Sequence, residues 1–237
     1  MPVALATQLR EGTKKSHTMA ENTGFVSCFL KGVVDKSTYR KLIADLYFVY
    51  SAMEDEITRL SNEGHPVISS IGFKELFRRK TLQQDLKFYF GENWESVLQI
   101  SSSAKVYEDR IRYIAKTSPE LLVGHHYTRY IGDLSGGQIL RRIAQKAMNI
   151  TGQNGLKFYD FDEINDEKEF KLMYSKTLNL LPINQETADS IVNEANLAFK
   201  YNMDMFKELE GNLIAVIGKL LFSFLTCRSR RGSTEEI

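Results

Sequence analysis

Apolar side chains recur at intervals of three and four residues along much of this 237-residue chain. That spacing places them on one face of an α-helix, and the two-residue alternation of a half-buried strand is hard to find. Proline, which breaks helices, occurs only four times and falls at expected element boundaries. The clearest helical runs are Leu42, Leu46, Val49, Tyr50 and Met53, and Ile191, Ala195, Ala198, Phe199 and Met203. The sequence therefore predicts an all-α fold.

Three polar residues stand where helices are expected to begin. Ser118 precedes Pro119, and proline suits the first position of a helix because its fixed backbone angle is already helical. Ser37 and Asn184 have side chains that accept hydrogen bonds from free backbone amides. We predict that each of the three caps a helix.

The length of the chain suits one substantial hydrophobic core, and no Gly/Ser-rich or Pro-rich stretch divides it. We predict one compact multi-helix domain over residues 1–212, followed by a C-terminal tail, 213–237, that is partly helical or disordered. The 31 Lys and Arg residues against 30 Asp and Glu leave a net charge of +1. This balance gives no general attraction to nucleic acid.

Cysteine usage and the chain ends bear on the compartment. Cys28 and Cys227 lie near opposite ends and form no metal-ligand or redox spacing, which favours a reducing compartment. The N-terminus lacks the apolar core of a signal peptide and carries Glu11, which a transit peptide would avoid. The apolar run at 213–225 is interrupted by Lys219 and is shorter than the roughly 20 residues that span a bilayer. We therefore predict no integral membrane insertion.

The stretch 127–142 (YTRYIGDLSGGQILRR) places three glycines in a segment whose flanks indicate helix. Each glycine inside a helix costs about 0.5–1 kcal/mol relative to alanine, so three together require a compensating role. Gly132 and Gly136 are four apart, which bares one helix face and lets something flat approach the backbone. Asp133 lies between them without a cationic neighbour inside the motif, and a bend is expected at Ser135 and the double glycine.

Close helix packing is the alternative explanation for this motif. Gly132 and Gly136 alone would usually indicate a small-residue face against another helix. Three glycines, an acid and a hydroxyl within residues 132–138 exceed what packing needs. The full string therefore favours a functional site.

The four histidines differ in their sequence surroundings. His65 precedes a proline in a loop, and of the adjacent His125 and His126 at least one is expected to be packed or capping. His17 follows Arg10 and Lys14 at helical spacing, so all three share one helix face. Two cations beside an imidazole predict a receptor for an anionic, metal-bearing molecule, although a solvated basic helix with an incidental histidine is the simpler explanation of this stripe alone.

Together, the basic stripe and the glycine face favour haem held between two helices. Several segments also resemble heme oxygenases, in particular the soluble type of cyanobacteria and algal plastids. The resemblance covers roughly residues 5–210. It rests on TKKSHTMAEN at 13–22, on ELLVG and YTRYIGDLSGGQ within 120–138, on IAQKA at 143–147, and on FK and Y within 170–174.

The resemblance implies a role for each matching residue. His17 would be the proximal iron ligand, and Asp133 would organise the distal water network with Tyr50 as its partner. The distal surface would be formed by Gly132, Gly136 and Gly137. Contacts to the haem edge and propionates would come from Arg10, Lys14, Tyr127, Lys171 and Ser175.

The resemblance also implies the reaction. Haem would be both cofactor and substrate, cleaved with O2 at the α-meso carbon to biliverdin IXα, carbon monoxide and ferrous iron, as in phycobilin biosynthesis. Ferredoxin would supply electrons by docking on a basic face formed by Arg10, Lys14, Lys15 and Arg141. The expected location is a cyanobacterial cytoplasm or an algal plastid stroma. A haem carrier or sensor without turnover, and a helical scaffold without haem, are the alternatives.

One position departs from the family pattern. Where the family usually carries an arginine one turn after the propionate-binding lysine, this chain has Ser175. Lys176 is adjacent but points about 100° away on a helix. A serine offers one neutral donor in place of a bidentate guanidinium, so we predict a looser propionate clamp.

Overall fold

The computed structural model describes the backbone of residues 3–152 and 154–229, and the side chains of these up to residue 210. Within those ranges every regular element is helical, which confirms the all-α prediction. The α-helices are α1 (Leu5–Gly12), α2 (Lys14–Glu21), α3 (Gly24–Leu30), α4 (Lys36–Asn62), α5 (Ile68–Ile71), α6 (Arg79–Phe90), α7 (Trp94–Val97), α8 (Ser102–Thr117), α9 (Leu122–His126), α10 (Gly132–Ala147), α11 (Glu167–Asn179) and α12 (Gln185–Ser229).

Two long helices organise the core. Helix α4 packs against α6 and α8, and α12 packs against α8, α9 and the three N-terminal helices. The buried face of α4 carries the three- and four-residue spacing expected from the sequence, with Ile43, Val49 and Tyr50 fully inaccessible to solvent. The shared contacts with α8 join the two long helices around one hydrophobic core.

The predicted caps have different outcomes. Asn184 accepts a hydrogen bond from the amide of Thr187 at 2.8 Å, as expected of a helix cap. Ser118 precedes a 3-10 turn that leads into α9, although its side chain makes no capping bond. The prediction for Ser37 is wrong, because Ser37 already lies inside α4, which begins at Lys36. Asp35 caps the helix by accepting from the backbone amides of Ser37 and Thr38. A carboxylate is an equally good cap, and it lies one step before the first helical residue.

A glycine at position 124 allows α9, the helix just before the glycine motif, to lie directly on α12. A Cβ on Gly124 would stand 2.8 Å from both the amide nitrogen of Ala195 and the carbonyl oxygen of Ile191. Such contacts with backbone are too short for any side chain, so α9 approaches the α12 backbone only because residue 124 is glycine. This close packing sets the height of the following helix above the core.

The chain leaves regular α-geometry just before the motif glycines. Tyr127–Ile131 forms one π-helical turn, and α10 then continues as regular α-helix through Gly132, Gly136 and Gly137. The sequence predicted a bend at Ser135 and the double glycine. The irregular hydrogen bonding lies upstream of these residues, in the π-turn. A π-turn holds an extra residue, so it shifts the face that the next helix presents.

The C-terminal segment continues α12 up to Ser229. The side chains of 213–229, including Cys227, and all of 230–237 lie outside the described residues. Cys28 is a free thiol. Among the described residues, no helix is long and apolar enough to cross a membrane.

Candidate functional site

A cleft of about 350 Å³ separates α2 from the start of α10. His17 and Gly132, 115 positions apart in sequence, lie on its walls. The cleft is lined by Thr13, His17, Glu21, Tyr127, Thr128, Ile131, Gly132, Ser135, Gly136 and Phe199. The fold thus brings together the histidine and the bare glycine face that the sequence analysis singled out separately.

His17 has an acidic partner that the sequence analysis missed. Its Nδ1 lies 3.7 Å from a carboxylate oxygen of Glu21, and its ring packs edge-on against Phe199 at a centroid distance of 5.9 Å. A carboxylate near Nδ1 favours the tautomer that leaves Nε2 free as a ligand atom. Glu21 follows His17 by one helical turn, so the four-residue spacing was a signal available in the sequence.

The three motif glycines do not share one environment. A Cβ on Gly132 or Gly136 would meet nothing within 4 Å, so both positions face open space in the cleft. A Cβ on Gly137 would lie 3.2 Å from the ring of Tyr159, because Gly137 is buried against the 3-10 turn at Lys157–Tyr159. A methyl group at position 137 would therefore point away from the cleft, and the contribution of the Gly137 backbone to the distal surface stays a prediction.

Asp133 belongs to a buried hydrogen-bond network. The hydroxyl of Tyr50 donates to its carboxylate, and Arg129 Nη2 lies 3.4 Å from its other oxygen. Arg129 also donates to Tyr50 at 3.1 Å and to Asn202 at 2.6 Å. Burial raises the pKa of Asp133, whereas these donors favour the charged form. The expectation that Asp133 has no cationic neighbour inside the motif is therefore wrong, because Arg129, one turn before it, lies within residues 127–142.

The basic residues expected around the cleft are placed at its rim or beyond. Arg10 and Lys14 both pair with Glu11, with side chains 70% and 67% exposed, so they remain free to reorient toward an anion. Lys171 lies 3.8 Å from Glu167 on α11, and neither it nor the half-buried Ser175 lines the cleft. The exposed Lys176 does not line it either.

Of the described residues predicted to contact the haem edge and propionates, Tyr127 is the one that lines the cleft. Burial raises the pKa of its phenol, while a hydrogen bond with Thr13 and the charge of Arg10 act in the opposite direction. Tyr127 therefore stays protonated and can donate a hydrogen bond into the cleft.

The other histidines are structural. His125 is fully buried, and its Nε2 lies 2.8 Å from Glu194, which also pairs with Arg110. Burial alone would raise the pKa of Glu194, but hydrogen bonds from Arg110 and His125 lower it to about 2. His126 is also fully buried, and His65 accepts a bond from the amide of Ile68. In the described part of the chain, no three His, Cys, Asp or Glu side chains are arranged to hold a metal ion.

A larger cleft of about 940 Å³ lies elsewhere, along α4, α6 and the segment around Asp160. Several of its charged groups are bonded within the protein: Glu54 accepts from the backbone amides of Arg78 and Arg79, and the Arg79 guanidinium donates to Asp55. Arg78 donates to several backbone carbonyls. This cleft is therefore a solvated polar surface, and the smaller cleft carries the site chemistry.

The geometry fits a planar ligand held between two helices. One imidazole is available on the α2 side, and the Gly132–Gly136 face opposite it has space where side chains would otherwise stand. An all-helical protein with a histidine on one wall and bare glycine backbone on the other has the features of a haem-binding site.

Comparison with known proteins agrees with this class. The heme oxygenase family model matches residues 3–208. Heme oxygenase 1 of Synechocystis is 59% identical over 99% of this chain and 97% of its own, and the heme oxygenase of Porphyra purpurea is 52% identical over 94% of both chains. This chain belongs to the heme oxygenase family, as its sequence predicted.

A solved structure extends the match to three dimensions. The crystal structure of the Synechocystis heme oxygenase-1, in complex with heme, superposes with a TM-score of 0.89 over 94% of this chain and 100% of that one. The fold predicted from the sequence, a single all-α domain of the heme oxygenase type, is confirmed.

Proposed function

We propose that this protein is a heme oxygenase that binds haem in the cleft between α2 and α10. It would cleave haem with O2 at the α-meso carbon to biliverdin IXα, carbon monoxide and Fe2+. The observation that carries the proposal is the opposition of His17 to the open glycine face in one cleft. Asp133 follows Gly132 directly on α10 but does not itself line this cleft. Family membership supports the same reaction.

In this proposal haem supplies both the iron that activates O2 and the carbon that is oxidised. His17 Nε2 would bind the iron, and Glu21, whose carboxylate oxygen lies 3.7 Å from Nδ1, would help to orient the imidazole. Gly132 and Gly136 would let the macrocycle lie against the backbone and so exclude bulk water from one face.

Asp133 has a separate role beside the glycines. Tyr50 and Arg129 fix the orientation of its carboxylate, so it can hold a water molecule in one position. A held water beside a buried carboxylate delivers protons along a defined path. Tyr127 and the rim cations Arg10 and Lys14 would bind the propionates, because flexible exposed cations can exchange Glu11 for another carboxylate.

A haem carrier or sensor without turnover remains the alternative function. Incubation with hemin, ferredoxin, ferredoxin reductase and NADPH in air separates the candidates. A Soret band that decays with the appearance of biliverdin supports the oxygenase, and a single IXα isomer on chromatography supports α-meso cleavage. A stable Soret band without bile pigment would favour the carrier, and no Soret band would contradict both.

Gly136→Ala should have opposite effects on stability and on haem binding. Alanine in an interior helical position removes the entropic cost of glycine, so the haem-free protein should gain about 0.5–1 kcal/mol in its free energy of unfolding. The added methyl group would project into the cleft, and haem affinity should fall about tenfold or more. Urea unfolding and hemin titration measure the two effects.

Gly137→Ala is the matched control for this change. Its methyl group would press against the ring of Tyr159 and not enter the cleft, so this variant should gain less stability than Gly136→Ala and show little direct effect on haem affinity. A Gly136→Ala variant that binds hemin as tightly as the wild type would contradict the placement of haem against α10.

Ferredoxin as electron donor predicts a strong dependence of turnover on salt. The proposed docking face needs one change: Arg141 is paired with Asp160 at 2.6 Å and mostly buried, so Arg10, Lys14 and Lys15 form its exposed part. Exposed charges are screened beyond about 10 Å at 0.1 M salt, and ferredoxin-driven kcat/KM should fall several-fold between about 0.02 and 0.2 M.

Charge-removing variants locate the docking face. Lys14→Gln combined with Lys15→Gln should flatten the salt dependence, whereas Arg141→Gln should leave its slope unchanged. Turnover indifferent to salt in the wild type would contradict an electrostatic docking face. The relatives from cyanobacteria and red algae support a cyanobacterial cytoplasm or a plastid as the setting.

A further inference from the structure

Helix α11 is held to the rest of the protein by few buried side chains. Of its residues only Tyr174 and Leu178 are buried, and Leu172 on the same helix is 58% exposed. The helix packs against α1 and α5, and Asn179 at its end accepts a hydrogen bond from the amide of Ala6. The partly buried Phe170 also packs edge-on against Phe73, with ring centroids 5.5 Å apart, so Tyr174 is one of few side chains that fix the position of α11.

Tyr174 contacts His126, a buried residue of α9 with no part in the cleft chemistry described above. The Tyr174 hydroxyl lies 2.8 Å from His126 Nδ1, and the two rings stack with centroids 5.5 Å apart and planes 10° from parallel. Burial lowers the pKa of His126 to about 3 and raises the pKa of Tyr174 well above its usual value. Both groups are neutral at physiological pH, so the phenol donates and the imidazole accepts.

The second nitrogen of His126 shows that packing alone does not account for this residue. Nε2 is buried and has no hydrogen-bond partner among the described residues. With Nδ1 accepting from Tyr174, Nε2 carries the ring proton and remains unpaired beside the ring of Tyr130, whose centroid is 4.6 Å away. A leucine would fill the space without burying an unpaired N–H group. The hydrogen bond to Tyr174 is therefore the interaction by which a histidine at position 126 is favoured over an apolar residue.

The bond between His126 and Tyr174 joins α9, which leads into the wall of the cleft, to α11. Helix α11 carries Lys171 and Ser175, the two predicted propionate contacts that do not line the cleft. His126 directly precedes Tyr127, which lines the cleft. Tyr174 directly precedes Ser175 and lies one turn after Lys171. After burial, the nearby Tyr127 phenol is the second cause of the raised pKa of Tyr174. A shift of α11 would therefore move Lys171 and Ser175 relative to Tyr127.

We propose that His126 is a positioning residue that, through its hydrogen bond to Tyr174, fixes the position of α11 relative to the cleft wall. Lys171 and Ser175 lie outside the cleft lining, and in this position they would reach carboxylates of the bound macrocycle that project beyond it. The proposal rests on the proposed haem site. In it, the buried pair of His126 and Tyr174 holds the propionate contacts in place, as a bidentate arginine at position 175 would otherwise do. A serine and a lysine bind less rigidly than an arginine, so the placement of their helix matters more.

The test compares hemin with its dimethyl ester, which lacks free carboxylates. The variants are Tyr174→Phe, which removes only the hydroxyl, and His126→Leu, which removes the acceptor. We expect the dissociation rate of hemin to an acceptor globin to rise about fivefold to tenfold in each, the effect of one lost neutral hydrogen bond. The dissociation rate of the dimethyl ester should stay within about twofold of wild type. His126→Asn retains an acceptor near the position of Nδ1 and should restore much of the wild-type rate for hemin.

A matched control separates positioning from general loss of stability. Tyr89→Phe removes another partly buried hydroxyl, which donates to the carbonyl of Gly155 at 2.9 Å on a different part of the fold. It should change neither dissociation rate. Hydrogen exchange of the haem-free protein should show faster exchange in residues 167–179 for Tyr174→Phe and not for Tyr89→Phe.

The outcomes distinguish this inference from the proposed function. Equal acceleration for hemin and its ester, or no acceleration in Tyr174→Phe, would overturn the positioning role while leaving the haem site intact. If His126→Leu does not fold, Tyr174→Phe decides the question alone. Absence of a Soret band with either compound in the wild type would overturn the proposed function itself.

Discussion

We expect His17→Ala to lose biliverdin formation by about a hundredfold or more, because the iron loses the ligand that holds it in the cleft. Changes to residues that merely orient a metal ligand cost about 10–100-fold, and removal of the ligand itself should cost at least as much. Hemin should still bind, since the glycine face and the rim cations remain. Bilin absorbance under ferredoxin-driven turnover measures the loss.

Two further measurements make the His17 result specific. Added imidazole should restore part of the activity by filling the space of the missing side chain. Glu21→Gln keeps the ligand and weakens only its orientation, so turnover should fall about tenfold. An alanine variant that forms biliverdin at the wild-type rate without imidazole would show that His17 is not the ligand.

The second large effect is expected for Asp133→Ala. This change removes an acceptor of both the Tyr50 hydroxyl and the Arg129 guanidinium, which leaves two buried donors with one partner fewer. Positioned proton transfer contributes about 10²–10⁴-fold to a rate, so the yield of biliverdin should fall about a hundredfold even when haem is fully bound. Product chromatography at hemin saturation measures this yield.

Milder variants locate the cause of that loss. Asp133→Asn keeps an oxygen that accepts from Tyr50 and should lose less activity than alanine. Asp45→Asn alters a different buried carboxylate, which accepts from the amide of Ser101, the residue that caps α8, and should lower stability without lowering the yield per bound haem. Undiminished ring opening in Asp133→Ala would remove Asp133 from the mechanism.

Local sequence patterns predicted the helices well because a helix forms from interactions between near neighbours. The three- and four-residue spacing in α4 and α12 was sufficient for the fold class, and Asn184 was recognised as a cap from its type and place. Ser37 was not the cap, because Asp35, two residues earlier, competes for the same free amides. Such competition between neighbouring caps is decided by backbone geometry.

The site was predicted in part. The separation of His17 and Gly132 is bridged by packing between helices: α2 and α9 both pack against α12, and α3 packs against both α2 and α10. Glu21 and Arg129 each lie one turn from a predicted site residue, and the four-residue rule would have found both. The bond between His126 and Tyr174, 48 positions apart, has no signal in the local sequence.

The sequence by itself determined the helical class, the bare glycine face and the chemical types present at the site, since these depend on residue identity and spacing along one helix. Only the tertiary structure decided that Gly137 faces Tyr159 while Gly136 faces the cleft, and that Tyr50 reaches Asp133. The close approach of α9 to α12 at Gly124 and the π-turn at Tyr127–Ile131 set the rotation and height of α10. Both depend on how separate helices pack, which no single helix encodes.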